Sequence, residues 1–451
     1  MKKNSFYKTV LEIAVPVTLQ SLLQSSFSVV DQVMTGQLGS VSIAGIGLGG
    51  KFSSLYSVLI SAIAAVAGIM ISQYIGKRDM REVSRSFFAN LFLGTGLALV
   101  FFIVCGMFSF QIMGIYTKDI LTRTEAAGYL RIIALSYLPM AFSMLFSTMM
   151  RCIGAAILPL YASIFSAMAN TGLNYMLIFG KLGFPELRVA GAAWATVISQ
   201  VLGCILILLL FVRHCRKENL RMEFVFRLNY KGKIQYLGIL LPILSCEFLW
   251  SLGENVYAAI YGHIGTQDCA AMTLTTPIQV LLIGALSGLS QAAGIITGKS
   301  LGSEEYERAY QEAKKLLYWG LLGSFLMSAV MIGLRGVYMQ IYQVEDTVRE
   351  IACQILFAFA VIAPVKVLNM ILGGGIIRSG GKTKYVMWID IIGTWVFGVP
   401  LGLAAAFIWK LSIPYVYFIL SLEECVRLAL SLIVFQKRSW MYSLKKQEEN
   451  T

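Results

Sequence analysis

Four polar side chains stand in apolar surroundings and together could bind a cation. Asp31 lies in the run Phe27-Ser28-Val29-Val30-Asp31-Gln32-Val33-Met34-Thr35-Gly36. Asn170 and Asn174 are four residues apart, which puts them on one helix face, and Thr196 follows in the next apolar run. A carboxylate, two amide oxygens and a hydroxyl form a hard, oxygen-rich set that suits Na+ at Asp31, Asn170 and Asn174. A desolvated carboxyl can also take up and release a proton near neutral pH, so Na+ and H+ can compete for one site. A lone carboxylate within a membrane-spanning helix costs roughly 2.5–3.5 kcal/mol on insertion scales, so function is the default reason for keeping Asp31.

A second set lies in the other half of the chain. Glu254 sits in Trp250-Ser251-Leu252-Gly253-Glu254-Asn255-Val256-Tyr257, and Glu247, seven residues earlier, shares its helix face. Gln279, Gln291 and Tyr257 extend the polar lining, and Lys366 follows Pro364. A buried Lys needs a partner, and Glu254 or Glu247 is the expected one. Glu254, Glu247, Gln279, Lys366 and Tyr257 are therefore the expected substrate contacts. Asp390 lies near the cytoplasmic end of its span, at an interfacial position, and is expected to be structural. Glu423 and Arg427 are spaced for an intrahelical ion pair. Tyr56, Phe142, Phe146, Tyr161, Trp250, Tyr257, Tyr261 and Trp395 are aromatic candidates for cation–π contact with a flat ligand.

The elements that position these groups must be transmembrane helices. Apolar residues make up 57% of the 451 residues, charged residues 14%, and mean hydropathy is +0.72. Soluble domains have about 25% charged residues. Twelve apolar spans follow at 10–34, 43–75, 87–107, 126–149, 155–179, 189–212, 234–261, 270–297, 316–334, 347–377, 385–408 and 413–435. A β-barrel would show short alternating segments instead. The first span is too long for a cleaved signal peptide and carries Pro16 and Asp31.

The net charge of +13 does not point to nucleic acid, because its placement follows membrane topology. Of 37 Lys and Arg, 26 fall in the loops on one side, 7 on the other and 4 within spans. The positive-inside rule then puts both termini in the cytoplasm. The eight cysteines are scattered, without CxxC spacing, and read as packing residues. Gly45-Ile-Gly47-Leu-Gly49-Gly50 matches a dinucleotide fingerprint but opens an apolar span rather than following a strand, so it carries no such function. Gly45-x-x-x-Gly49 and Gly284-x-x-x-Gly288 are instead spacings for close helix approach. No P-loop is present, and no His, Cys or acidic constellation suits an enzyme.

The chain repeats itself. A shift of 226 residues lays Pro16 on Pro242, Gly36 on Gly262, Gly39 on Gly265, Ala67-Gly68-Ile69 on Ala293-Gly294-Ile295 and Gly76 on Gly302; one residue later Arg151 meets Arg378 and Gly154 meets Gly381. Each half holds six spans, so both enter from the same side, related by an axis along the membrane normal. The expected organisation is a six-helix lobe over 1–212, a cytoplasmic linker 213–233, a second lobe over 234–436 and a solvated tail 437–451. Rocking of two such lobes about a central cleft is transporter architecture.

On Pro16 with Val30-Asp31-Gln32-Val33-Met34-Thr35-Gly36, on Asn170-x-x-x-Asn174-Tyr175, on Gly191-Ala192-Ala193-Trp194-Ala195-Thr196 and on Arg378-Ser379-Gly380-Gly381-Lys382-Thr383, the chain resembles the multidrug and toxic-compound extrusion (MATE) family over nearly its whole length. The resemblance implies two six-helix lobes and export of organic cations and other amphiphiles against Na+ or H+. It implies a cation site at Asp31, Asn170, Asn174 and Thr196, and a matching acid at Glu254. The chain departs from one branch of the family, which carries an acid near Lys366-Val367. That departure counts against a second cation site there, and a Lys in the cleft would repel cations.

The expected protein is thus an all-α, inner-membrane antiporter for amphiphilic substrates, expected to be cationic. It would work as a monomer in contact with lipid, with no nucleic-acid partner and no cofactor besides Na+ or H+ as coupling ion. Pro16 interrupts the helix ladder and would permit a kink. The rival expectation is a flippase or exporter of lipid-linked or anionic metabolites, which would carry several buried Arg.

Overall fold

Apolar periodicity and the absence of β-punctuation give helices throughout. The computed structural model describes residues 3–220, 222, 230–264, 266–340 and 345–444. Most of the linker stretch 221–229 and the charged tail 445–451 lie outside the described residues.

In chain order the helical segments are α1 (Lys3–Thr35), α2 (Ser40–Gly76), α3 (Met80–Tyr116), α4 (Ile120–Cys152), α5 (Ile157–Phe179), α6 (Arg188–Lys217), α7 (Tyr230–Ile264), α8 (Thr266–Gly302), α9 (Tyr306–Met339), α10 (Asp346–Ile377), α11 (Lys384–Ile408) and α12 (413–436). Among the described residues ten helices are long and apolar enough to cross a membrane, and α5 and α12 complete twelve helical segments. The internal repeat is visible in the helix starts. Ser40, Met80 and Ile120 open α2, α3 and α4, and Thr266, Tyr306 and Asp346, each 226 residues on, open α8, α9 and α10.

The helices carry large apolar side chains on their outer faces. Phe92, Val100, Ile103 and Met107 on α3, with Phe325, Leu326 and Leu334 on α9, are each more than half exposed. A water-soluble fold rarely leaves so large an apolar surface uncovered, whereas hydrocarbon covers it at no cost.

The chain groups into two compact units. One comprises Leu19–Ile75 and Asp79–Asn229; the other comprises Met1–Thr18, Gly76–Arg78 and Tyr230–Thr451. The first half of α1 therefore packs with the C-terminal helices. α1 runs as one helix from Lys3 to Thr35 through Pro16, and its membership changes between Thr18 and Leu19.

Within the N-terminal unit, Gly45 and Gly49 on α2 face Ala126 and Tyr129 on α4, as the small-residue spacing requires. Tyr56, Phe101 and Tyr137 stack together, and Phe87, Phe146 and Phe211 form a second aromatic core. Tyr56 and Phe146 are thus packing residues, not cavity aromatics. The Gln20 amide ties the second half of α1 to this unit. It accepts from Arg151 Nη2 at 2.9 Å and donates to Ser163 Oγ at 2.7 Å.

Within the C-terminal unit, Gly288 on α8 lets the backbone of Ala14 and the Thr18 hydroxyl approach, and Thr18 Oγ1 donates to the Ala285 carbonyl at 3.2 Å. The core is formed by Met331, Met339, Ile355, Leu356, Phe359, Tyr417 and Leu420. Wide π-type turns occur at Met370–Ile377, Ile392–Gly398 and Ala404–Ile408. Such turns concentrate at functional sites.

Candidate functional site

In the N-terminal unit α5 and α6 pack against each other. Gly191 makes this possible, since a Cβ there would overlap the Leu177 carbonyl. Leu38, Ile178, Val189 and Ala192 form a small apolar cluster beside the junction, with Met34, Ile46, Tyr129 and Phe179 around it. Next to it the four polar groups foreseen from the sequence meet.

Asn174 Nδ2 donates to Asp31 Oδ1 at 2.5 Å and to Asn170 Oδ1 at 3.2 Å. Asn170 Nδ2 donates to Thr196 Oγ1 at 3.4 Å, and the Thr196 hydroxyl donates to the Ala192 carbonyl at 3.0 Å. Donation starts at Asn174 on α5 and runs two ways, to Asp31 on α1 and through Asn170 to Thr196 on α6. Asn174 is 0% exposed, and its Oδ1 has no hydrogen-bond partner. A buried amide oxygen without a donor costs about 1–3 kcal/mol. Its lone pairs could ligate a cation or accept a hydrogen bond from a protonated carboxyl. The donor set is all oxygen on its accepting side, which fits a hard monovalent cation.

In the C-terminal unit α7, α10, α11 and α12 bring a larger charged group together. Tyr257 donates its hydroxyl to Glu423 Oε2. Arg427 pairs with Asp390 at 3.1 Å and with Glu424 at 3.8 Å, and donates to Thr394 Oγ1 at 3.1 Å. Asn369 Nδ2 donates to Glu424 Oε2 at 2.8 Å. Two glycines in the π-type turn of α11 make the space: Gly393 faces the Arg427 side chain, and Gly398 faces Glu423 and the Tyr257 hydroxyl. The expected Glu423–Arg427 pair is therefore corrected. Both acids share a helix face with Arg427, but Tyr257 takes Glu423, and Arg427 turns to Glu424 and Asp390. Asp390 has the structural role expected of it, as an ion-pair partner of Arg427.

A third cluster adjoins this one. Arg378 pairs with Glu247 at 3.2 Å and donates to Cys246 Sγ at 3.3 Å, while Cys246 donates to Asp390 Oδ2. Cys246 is thus a polar link and not merely packing. The repeat explains the arrangement: Arg378 and Arg151 are counterparts, as are Cys246 and Gln20, so each half anchors its first helix to an Arg at the end of its fourth.

The foreseen substrate contacts separate into two groups. Glu254 and Lys366 remain available, whereas Gln279 is engaged at both ends of its amide, its Nε2 donating to Thr275 Oγ1 at 3.1 Å. Glu254 is exposed and Lys366 half-buried, and Gln279 Oε1 accepts from Tyr417 at 3.0 Å. Tyr257, only 5% exposed, holds Glu423, and Glu247 is engaged by Arg378. Their place is to position other groups. Asn369, Thr394 and Cys246 were missed because a single amide, hydroxyl or thiol in an apolar helix gives no signal until its partner is known.

The MatE family model matches residues 16–176 and 242–404. The chain is 25% identical over 438 residues to "Uncharacterized transporter YisQ" of Bacillus subtilis (strain 168), covering 94% of this chain and 93% of that one. It is 22% identical over 443 residues to "Probable multidrug resistance protein NorM" of Thermotoga maritima, covering 96% and 93%. Among solved structures, the Vibrio cholerae MATE transporter VcmN in the bent form superposes with a TM-score of 0.87 at 17% identity over 97% of this chain and 99% of that one. With twelve helical segments and a model match over both halves, the chain belongs to the MatE family and is a multi-pass membrane transporter, not an enzyme.

Proposed function

We propose that this chain is a secondary-active antiporter that exports amphiphilic small molecules bearing a cationic group in exchange for Na+ or H+. The observation that carries the reading is the buried, unpartnered Asn174 Oδ1 beside Asp31. With Asp31 ionised, Asn174 presents its Nδ2 to the carboxylate. A proton on Asp31 turns that oxygen from acceptor to donor, and a bound Na+ needs an oxygen ligand. In either case rotation of the amide brings Oδ1 into use, and the change passes to Asn170 and Thr196. Asn174 thus reads the charge state of Asp31 and carries it from α1 to α5 and α6. Coupling is reciprocal, so the ion weakens substrate affinity by the factor by which substrate weakens the ion's. Relatives named as multidrug resistance proteins support the substrate side.

In this reading Glu254 and Lys366 touch the substrate, with Gln279 fixing Tyr417 and with Tyr257 and Glu247 holding the surrounding charges. The protein sits in the cytoplasmic membrane with both termini inside, as a monomer. The test is export of a fluorescent organic cation from proteoliposomes under separate Na+ and H+ gradients, for wild type and Asp31→Asn. Export driven by one gradient and lost in Asp31→Asn supports the antiporter and names its ion. Export in the variant equal to wild type, or none under either gradient, refutes it.

A further inference from the structure

The two halves of the chain build the same line of polar contacts with different charges. Ile157 opens α5 and Lys384 opens α11, 227 residues on, the shift that also joins Arg151 to Arg378. On that shift Ser163 is the counterpart of Asp390, and Gln200 of Arg427. On the shift of 226 that holds for the first helix of each half, Gln20 is the counterpart of Cys246, and Ser21 of Glu247. The contacts repeat accordingly. In the C-terminal unit Arg378 donates to Cys246, and Cys246 to Asp390. In the N-terminal unit Arg151 Nη2 donates to Gln20 Oε1 at 2.9 Å, and Gln20 Nε2 to Ser163 Oγ at 2.7 Å.

The charges do not repeat. Arg378 has the Glu247 carboxylate at 3.2 Å, and Asp390 has Arg427 at 3.1 Å. The N-terminal counterparts of both acids are serines. Among the described residues no carboxylate lies within 4.0 Å of Arg151, and its guanidinium makes one hydrogen bond, to Gln20. Its Nε is buried without an acceptor. Arg378 Nε is equally bare, so the missing carboxylate is what sets the two arginines apart. The last turn of a helix favours a cation, and Arg151 stands in the last turn of α4. Arg378 has the corresponding place and takes a carboxylate besides. A half-buried guanidinium without an anion is costly.

We infer that Arg151 is a binding site for an oxyanion, a carboxylate or phosphate group that stands where the C-terminal half has its own acid. The guanidinium fork matches such a group with two parallel hydrogen bonds. The donors left over from Gln20 include the buried Nε. The Ser163 hydroxyl accepts from Gln20, and among the described residues its own hydrogen is committed to no acceptor, so it is a further donor one amide away. Arg151 lies just beyond the apolar span 126–149, at the depth of lipid headgroups. A free anion and a phospholipid phosphate both have the required chemistry.

The test uses the full chain, delipidated in a neutral detergent, with radiolabelled inorganic phosphate at constant ionic strength. Wild type is expected to bind phosphate saturably. Arg151→Gln weakens this by about tenfold or more, the loss of one charge-assisted pair. Ser21→Glu weakens it to a similar extent by supplying the carboxylate that Glu247 supplies in the other half, and raises Tm in the absence of phosphate. A purely structural Arg151 would give a lower Tm on substitution, with no phosphate site in any form. Phosphatidylglycerol that displaces phosphate at far lower concentration than glycerol 3-phosphate supports the site with a lipid headgroup as occupant. Equal displacement by both supports it with a free anion. Wild type that binds neither phosphate nor phosphatidylglycerol saturably overturns the inference, and needs no variant to fold. Binding unchanged in a folded Arg151→Gln, or undiminished in Ser21→Glu, overturns it as well.

Discussion

Asn174 gives its Nδ2 to Asp31 Oδ1 at 2.5 Å across 143 positions of sequence, while its own Oδ1, fully buried, accepts nothing. One amide therefore combines a polar contact of α1 with α5 and a buried oxygen without a donor. The two properties make separate, measurable demands on the residue.

Asn174→Ala removes the donor to Asp31 and the free acceptor together. Stability is expected to fall by roughly 1–3 kcal/mol, the cost of leaving the carboxylate without its partner. The coupling ion should raise the wild-type Tm by binding the folded state alone. Asn174→Ala should lose most of that rise, read by thermal unfolding in detergent across Na+ concentration and pH.

Arg427 is held by two acids and Thr394 inside the C-terminal unit. Arg427→Met should destabilise by about 3–5 kcal/mol, since it leaves Asp390 and Glu424 as buried charges without their cation. Adding Asp390→Asn to Arg427→Met should recover part of the loss. A double variant as unstable as the sum of the singles would show that the pair does not act as one unit.

Gly398 is expected to be intolerant for a local reason. A Cβ there meets Glu423 and the Tyr257 hydroxyl, whereas one at Gly373 meets nothing within 4 Å. Gly398→Ala should cost about 1–3 kcal/mol through overpacking. Gly373→Ala should be neutral or stabilising by up to about 1 kcal/mol through helix propensity. Unfolding of the two variants side by side checks both signs.

Asp119 caps α4 outside the spans, accepting from the Thr122 hydroxyl at 2.5 Å and the Thr122 amide at 2.9 Å, and these hydrogen bonds hold its carboxyl below the ordinary 3.8. A lowered folded value means that the cap's contribution is present above the unfolded value and is lost as pH falls through the folded one. Protection of the amides at 120–123, measured against the unstructured exchange rate at each pH, should therefore be high at neutral pH and fall in strong acid. Asp119→Ala should show lower protection at neutral pH and converge with wild type in strong acid.

What was legible in the sequence depended on one helix or on an exceptional residue. Span number followed from apolar length, and the repeat from a constant shift that reappears in the helix starts. Asn170 and Asn174 were readable because four residues return a helix to the same face, and Asp31 because a charge among apolar residues needs a reason. The Glu423–Arg427 pairing failed on the same logic. Spacings of three and four both permit contact with Arg427, and the choice lay with Tyr257 from α7 and Asp390 from α11.

The amino-acid sequence by itself thus determined that this is a twelve-span, twice-repeated membrane protein with an oxygen-rich set in its first half, because transfer of side chains into lipid is a property of each residue and its near neighbours. Only the tertiary structure decided which polar groups are satisfied, as at Glu423, Arg427 and Asp390, and which stay open, as at Asn174 Oδ1. Satisfaction is a geometric property of groups brought together from distant helices, and no spacing along a single helix encodes it.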